Sequence, residues 1–224
     1  MSGMRISLRT ARWLSGLLPL AVMCGFTLAS ARAEAQAGSV TGSGAAAVVT
    51  TTAGAQQFAS VGLPSAGGMA DSELASVAVP STLSADGLAS ITTGHLDQTL
   101  VSTTTTAQAA NVSVLSGLIT AEAVLAVATS YANGITATSE SNGSALVGLV
   151  INGVNYADAP PAPNTQVSLP GVGYVVLNEQ ILVGDGARNT GLTVNMIHVY
   201  LTDPATGAPT GDIVVGMAKS AASL

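Results

Sequence analysis

The sequence predicts an all-β domain, an antiparallel meander forming a β-sandwich, preceded by a helical signal peptide. Three observations carry this expectation. Only 8% of the residues are charged, so the Lys, Glu and Arg that favour exposed helices are scarce, while Val and Thr, which suit strands, are abundant. Aromatics make up 3%, leaving an apolar mass of Ala, Val, Leu and Ile interleaved with Ser, Thr and Gly, side chains suited to closely spaced sheets. From Ala107 onward, extended runs and turn signals alternate almost without a gap.

Residues 1–37 read as a signal peptide and its cleavage region. Arg5, Arg9 and Arg12 form a basic start, Trp13–Leu28 is an uncharged, mostly apolar run of 16 residues, and A-x-A sites follow at Ala29-Ser30-Ala31, Ala31-Arg32-Ala33 and Ala35-Gln36-Ala37. A bilayer span needs roughly 20 residues. Gly16, Pro19 and Gly25 interrupt this shorter run, so cleavage is expected and the mature chain has no membrane span. Cys24 lies inside the run after Ala21-Val22-Met23, a poor context for lipidation, and no other cysteine occurs. Disulfide bridges therefore take no part in holding the mature domain together.

Residues 38–55, dominated by Gly, Ala, Ser and Thr, read as a flexible small-residue segment. The domain proper is expected over 56–220, with 221–224 as a tail. Within it, Val112 and Val114 belong to one strand and Leu118–Tyr131 to the next, ended by Asn133-Gly134, a strong hairpin signal. Ile135–Glu140 returns, Asn142-Gly143 turns, and Ser144–Ile151 forms a further strand closed by Asn152-Gly153. After the Ala159–Pro163 connector, which cannot continue a ladder, come Thr165–Leu169, Tyr174–Val183, Leu192–Leu201 and Asp212–Lys219. Pro170-Gly171, Asp185-Gly186 and the Asp203–Gly211 stretch separate them.

A weak internal repeat relates Val77, Val79, Ser81 and Leu83 to Val112, Val114, Ser116 and Leu118, 35 residues later. Two copies leave a β-solenoid as the alternative architecture. Solenoids normally need at least about three units to bury a continuous face, so the sandwich is preferred.

Five blocks in the second half carry a resemblance. ANVSVLSGLITAEAV (Ala110–Val124), GSALVGLVING (Gly143–Gly153), PNTQVSLPGVGYVVLNEQ (Pro163–Gln180), GLTVNMIHVYL (Gly191–Leu201) and GDIVVGMAKS (Gly211–Ser220), in that order, resemble the bacterial choice-of-anchor P surface proteins. The resemblance implies an exported domain with no established enzymatic activity, in a family named for the varied sorting signals its members carry. Here the chain ends at Leu224, five residues after Lys219, without an apolar tail or basic stop, so secreted or periplasmic residence is expected rather than covalent anchoring, with cell-surface association as a further possibility.

Charge limits the partners. Cleavage after Ala33 leaves Arg188 and Lys219 against twelve carboxylates, a net charge of −10. Nucleic acid and anionic headgroups need clustered Lys and Arg, so neither is an expected partner. An unidentified extracellular or envelope partner is expected instead.

No catalytic, cofactor or metal residues are assigned, and no cofactor is expected. His95 and His198 could each belong to a Ser-His-Asp arrangement, but the chain has no GxSxG-type turn. Asp71 with Glu73, or Glu179 with Asp185, could pair as acid and base for glycoside cleavage, yet strand ends and turns account for them more simply. Regular alternation would place His198 on one face with Val194, Met196 and Tyr200, as a satisfied, half-buried side chain without zinc-ligand spacing around it. Asn178-Glu179-Gln180 is expected to cap a sheet edge through side-chain to backbone bonds. Asp185–Asn189 and Asp203–Gly207 are acidic, Gly-containing loops that keep a calcium- or small-ligand-binding module as the second functional class. Arg188 in the first loop opposes a cation. A polymer hydrolase ranks third. Asn111 and Asn142 begin Asn-x-Ser triplets that read as turn and strand chemistry.

Overall fold

The computed structural model describes residues 38–156 and 161–224, so the export signal, its A-x-A sites and Cys24 lie outside the described residues. In chain order the strands are β1 (Ser39–Thr51), β2 (Gly54–Gly62), β3 (Gly68–Val79), β4 (Leu83–Leu96), β5 (Val101–Val114), β6 (Ile119–Ala132) and β7 (Ala137–Glu140). There follow β8 (Ala145–Val147), β9 (Val150–Ile151), β10 (Val154–Asn155), β11 (Thr165–Leu169), β12 (Gly173–Gly184), β13 (Asn189–Thr202) and β14 (Pro209–Ser223). No helix occurs among the described residues.

Two antiparallel sheets result. One has the order β11-β12-β13-β14-β1-β2; the other runs β10-β9-β6-β5-β4-β3, with β7 and β8 also paired to β6. Leu177, Val194, Ile197, Ile213 and Val215 of the first sheet share a core with Leu83, Leu88, Val112, Ile119 and Val124 of the second. That packing makes a sandwich. Each large aliphatic side chain buried there is worth about 1.5–3 kcal/mol.

The repeat at Val77 and Val112 marks two successive hairpins, β3–β4 and β5–β6, whose tight turns fall at Pro80–Thr82 and Leu115–Leu118. β3 and β5 do not pair; β4 lies between them, antiparallel to both, so stacked solenoid coils are absent from the described strands. The meander also begins earlier than Leu118, at β3. Ser144–Ile151 is not one strand, because Gly148 at φ +60° breaks it into β8 and β9.

Two expectations about the ends of the domain are corrected. Residues 38–55 are not a loose lead-in: β1 pairs with β14 on one side and β2 on the other, and Ala45–Val49 are all buried. Small residues are required there. A Cβ on Gly42 would run into Thr92, Thr103 and Thr105 of the facing sheet, and one on Gly44 would come within 3.0 Å of Thr105. Composition that signals low complexity is here what lets two sheets approach. Residues 221–224 are not a tail either, since Ser39 pairs with Ser223 and Leu224 is buried against a small cluster with Val40 and Val101.

Beside this small-residue region the interior is polar. Thr92 and Thr105 share a buried 2.8 Å hydrogen bond. A chain of hydroxyls links Ser220 to Ser130 at 2.8 Å, Ser130 to Ser139 at 2.7 Å and Ser139 to Thr190 at 2.8 Å, tying the two sheets together. A hydroxyl can donate one bond and accept others, so the two central members, Ser130 and Ser139, each have two partners and the chain offsets part of its own desolvation.

Apart from a register shift at Leu201/Thr202, strand alternation in the six-stranded sheet is interrupted along one transverse row. Ala59, Gly216 and Asn178, on the alternate strands β2, β14 and β12, have φ of +46°, +70° and +49°. Ala46 of β1 and Met196 of β13 stand opposite them, and the pairing register is the same on both sides of this row. The inward-facing set therefore steps by one residue, from Leu192, Val194 and Met196 to Ile197 and Val199 on β13. The facing sheet has its own interruption, with Gly87 at +54° on β4 and Asn111 at +48° on β5.

Candidate functional site

The reversal between Met196 and Ile197 changes where His198 points. Val194 and Met196 lie in the core, whereas His198 and Tyr200 lie on the outer face, so the expected shared face holds for Tyr200 and is corrected for Val194 and Met196. Asn195 and His198, three apart, would lie on opposite faces of a regular strand. Here both face outward, and their side chains approach to 3.5 Å.

Cross-strand register completes the group. Tyr200 pairs with Tyr174 on β12 and Asp212 on β14, and Asn195 pairs with Glu179. His198 Nδ1 lies 2.7 Å from Glu179 Oε2, and its Nε2 lies 3.2 Å from Asp212 Oδ2. Asn195 donates to Glu179 Oε2 at 2.7 Å, and the Tyr200 hydroxyl donates to Glu179 Oε1 at 2.7 Å. The His198 and Tyr200 rings stack with centroids 3.9 Å apart, and the Tyr200 and Tyr174 rings at 4.7 Å.

The electrostatics follow. Burial works to raise the Glu179 pKa, but hydrogen bonds from His198, Tyr200 and Asn195, with the His198 charge, outweigh it and hold the carboxyl below its ordinary 4.5. Burial, then the bond to Glu179, pushes the Tyr200 phenol well above its ordinary value. Each imidazole nitrogen thus has a carboxylate within hydrogen-bond distance. Both Glu179 oxygens are engaged, and the group clamps β12, β13 and β14 together. The reading of His198 as a satisfied, half-buried side chain agrees with its 13% side-chain exposure.

Asn178-Glu179-Gln180 divides. Asn178 does cap, donating to Pro161 O at 3.2 Å, and Gln180 reaches Ser141 and Asn178, while Glu179 turns to His198 instead. Glu179 and Asp185 are not an acid–base pair: Asp185 Oδ1 accepts the N–H groups of Ala187, Arg188 and Asn189, and its Oδ2 accepts Asn189 Nδ2. Asp203 Oδ1 likewise accepts Ala205 N, Thr206 N and the Thr206 hydroxyl. Both loops thus turn their carboxylates onto their own backbone, which lowers the two pKa values and accounts for the acidic residues as turn formers. Among the described residues, no three His, Cys, Asp or Glu gather as a metal site.

His95 lies exposed on β4 and His198 on the other sheet. Asp71 and Glu73 stand two apart on the outer face of β3, opposite Ile91 and Ala89. Asn111 adopts the left-handed conformation and donates to Asp86 at 3.3 Å, and Asn142 donates to Glu140 at 2.8 Å. Sequence reading placed Tyr200 beside His198 but missed Glu179, Asn195 and Asp212 as its partners, because no linear pattern reports a reversal set by cross-strand neighbours. A shallow groove of about 330 Å³ crosses the outer face of the eight-stranded sheet, with Gln108 as the polar side chain amid Ala110, Ala123, Leu125 and Val147. No family model, curated protein or solved structure matches the chain.

Proposed function

We propose that the chain is an exported structural or interaction protein of the cell surface or extracellular space that performs no catalysis, as the resemblance to choice-of-anchor P proteins implies. The observation that supports this reading is an apolar strand left open. Ile181, Leu182 and Val183 are 49%, 67% and 58% exposed, on a length of β12 that β11 does not cover. Soluble domains usually guard such edges with charge, proline or a bulge, because unpaired backbone and apolar side chains invite a further strand. Glu179 and His198 meanwhile bind one another, and Asp185 and Asp203 bind their own turns.

The test compares a deletion strain with strains making the native chain or Leu182→Lys, measured for envelope integrity, adhesion and biofilm. Loss in the deletion strain and partial loss in Leu182→Lys is the expected result. No loss in either strain, together with hydrolysis of an extracellular polymer by the purified native protein, overturns the reading. Mass spectrometry of the exported protein is expected to find an N-terminus within Glu34–Gly38.

A further inference from the structure

We propose that the free edge of β3 accepts an extended, basic polypeptide segment as an added strand of the eight-stranded sheet, an inference that rests on the interaction role above. β3 spans 12 residues and pairs with β4 alone. Beyond Gly68 it has no residue at positive φ, whereas the neighbouring edge strand β2 is broken by Ala59 at +46°. On its unpaired side, every second residue turns an N–H and a C=O to solvent, the template on which strand addition works.

Side chains select the occupant. Asp71 and Glu73 share the outer face of β3 and are exposed, beside Met69 at 66% exposure. Asp86, Glu122 and Glu140 lie on strands of the same sheet, and no Lys or Arg occurs between residues 33 and 187. The group of β3–β10 able to become cationic is His95, one residue beyond the Gly68–Gly94 pair. A second copy pairing antiparallel about Ser72 would set Asp71 against Glu73, and like charges directly opposite are destabilising. The same carboxylates favour Lys or Arg at alternate positions of an incoming strand. Glu73 itself borders a groove of about 380 Å³, shared with Leu74, Ala75, Gly87, Ala89 and Gln108, that receives a side chain of the incoming strand.

The probes are two ten-residue peptides of alternating Lys and Val or alternating Glu and Val, titrated into the purified mature chain at low salt, with amide hydrogen exchange read out by residue. The Lys peptide is expected to bind at least ~10-fold tighter than the Glu peptide, weakening with salt, and to protect amides of β3. In D71K/E73K the preference is expected to reverse, with the thermal midpoint little changed because both side chains are exposed. Equal binding of the two peptides, protection confined to other strands, unchanged preference in D71K/E73K, or no binding by either peptide overturns the proposal. If the native chain still supports adhesion or envelope integrity while these peptide results fail, the interaction role stands and only its assignment to β3 is lost.

Discussion

His198 and Glu179 meet at 2.7 Å from opposite sides of the row at which the six-stranded sheet reverses its pleat. On β12 the reversal falls at Asn178, on β13 at Met196, and it turns Glu179, Asn195 and His198 to one face. The hydrogen-bonded group is therefore a product of backbone conformation as much as of side-chain choice.

Glu179 should make stability fall in acid. Its folded pKa lies below the ordinary 4.5, so the carboxylate's contribution is fully present above 4.5 and is lost as pH falls through the lower folded value. Glu179→Gln is expected to cost about 1–3 kcal/mol near neutral pH, where it leaves His198 and Tyr200 poorly partnered. Thermal melts across pH should show the gap between native and variant chains narrowing below 4.5. A gap that stays constant with pH would remove the carboxylate from the account.

Gly216→Ala tests the reversal itself. Its φ is +70°, and an added Cβ would lie 2.8 Å from Val124 Cγ1 of the facing sheet. The left-handed conformation costs a non-glycine residue about 1–3 kcal/mol before any clash. Denaturant unfolding should report at least that loss, whereas Gly207→Ala, at +71° but with open space around it, should show the conformational part alone.

Ser130→Ala should cost about 1–3 kcal/mol by leaving Ser220 and Ser139 short of a partner inside the sandwich. Adding Ser220→Ala is expected to cost less than the separate substitutions predict, since the two hydroxyls share one bond. Strict additivity in a double-mutant cycle would contradict the proposed chain.

Asp185→Ala is expected to lower the thermal midpoint by the same amount with calcium or with chelator, because its oxygens bind Ala187, Arg188 and Asn189 backbone groups. A calcium-dependent stabilisation of the native chain that disappears in this variant would restore the calcium-binding alternative.

The sequence by itself determined the fold class and most strand positions. Thr165–Leu169 forms β11 over those same residues, and Tyr174–Val183 lies within β12, because β-branched runs between Gly, Pro and Asn turns report local backbone preference directly. His198 as a satisfied side chain was legible for the same reason, from its apolar strand neighbours. Tertiary structure decided the rest. Residues 38–55 looked formless because Gly42 and Gly44 carry no pattern, and their meaning lies in the threonines of another sheet across which they must fit. The face of His198 depended on Asn178, Met196, Gly216, Ala46 and Ala59 standing in one transverse row, drawn from three strands near one end of the described chain and two near the other. Alternation is a local property and can be read along one strand; a reversal of alternation is cooperative across a sheet, and its register exists only once the strands have paired.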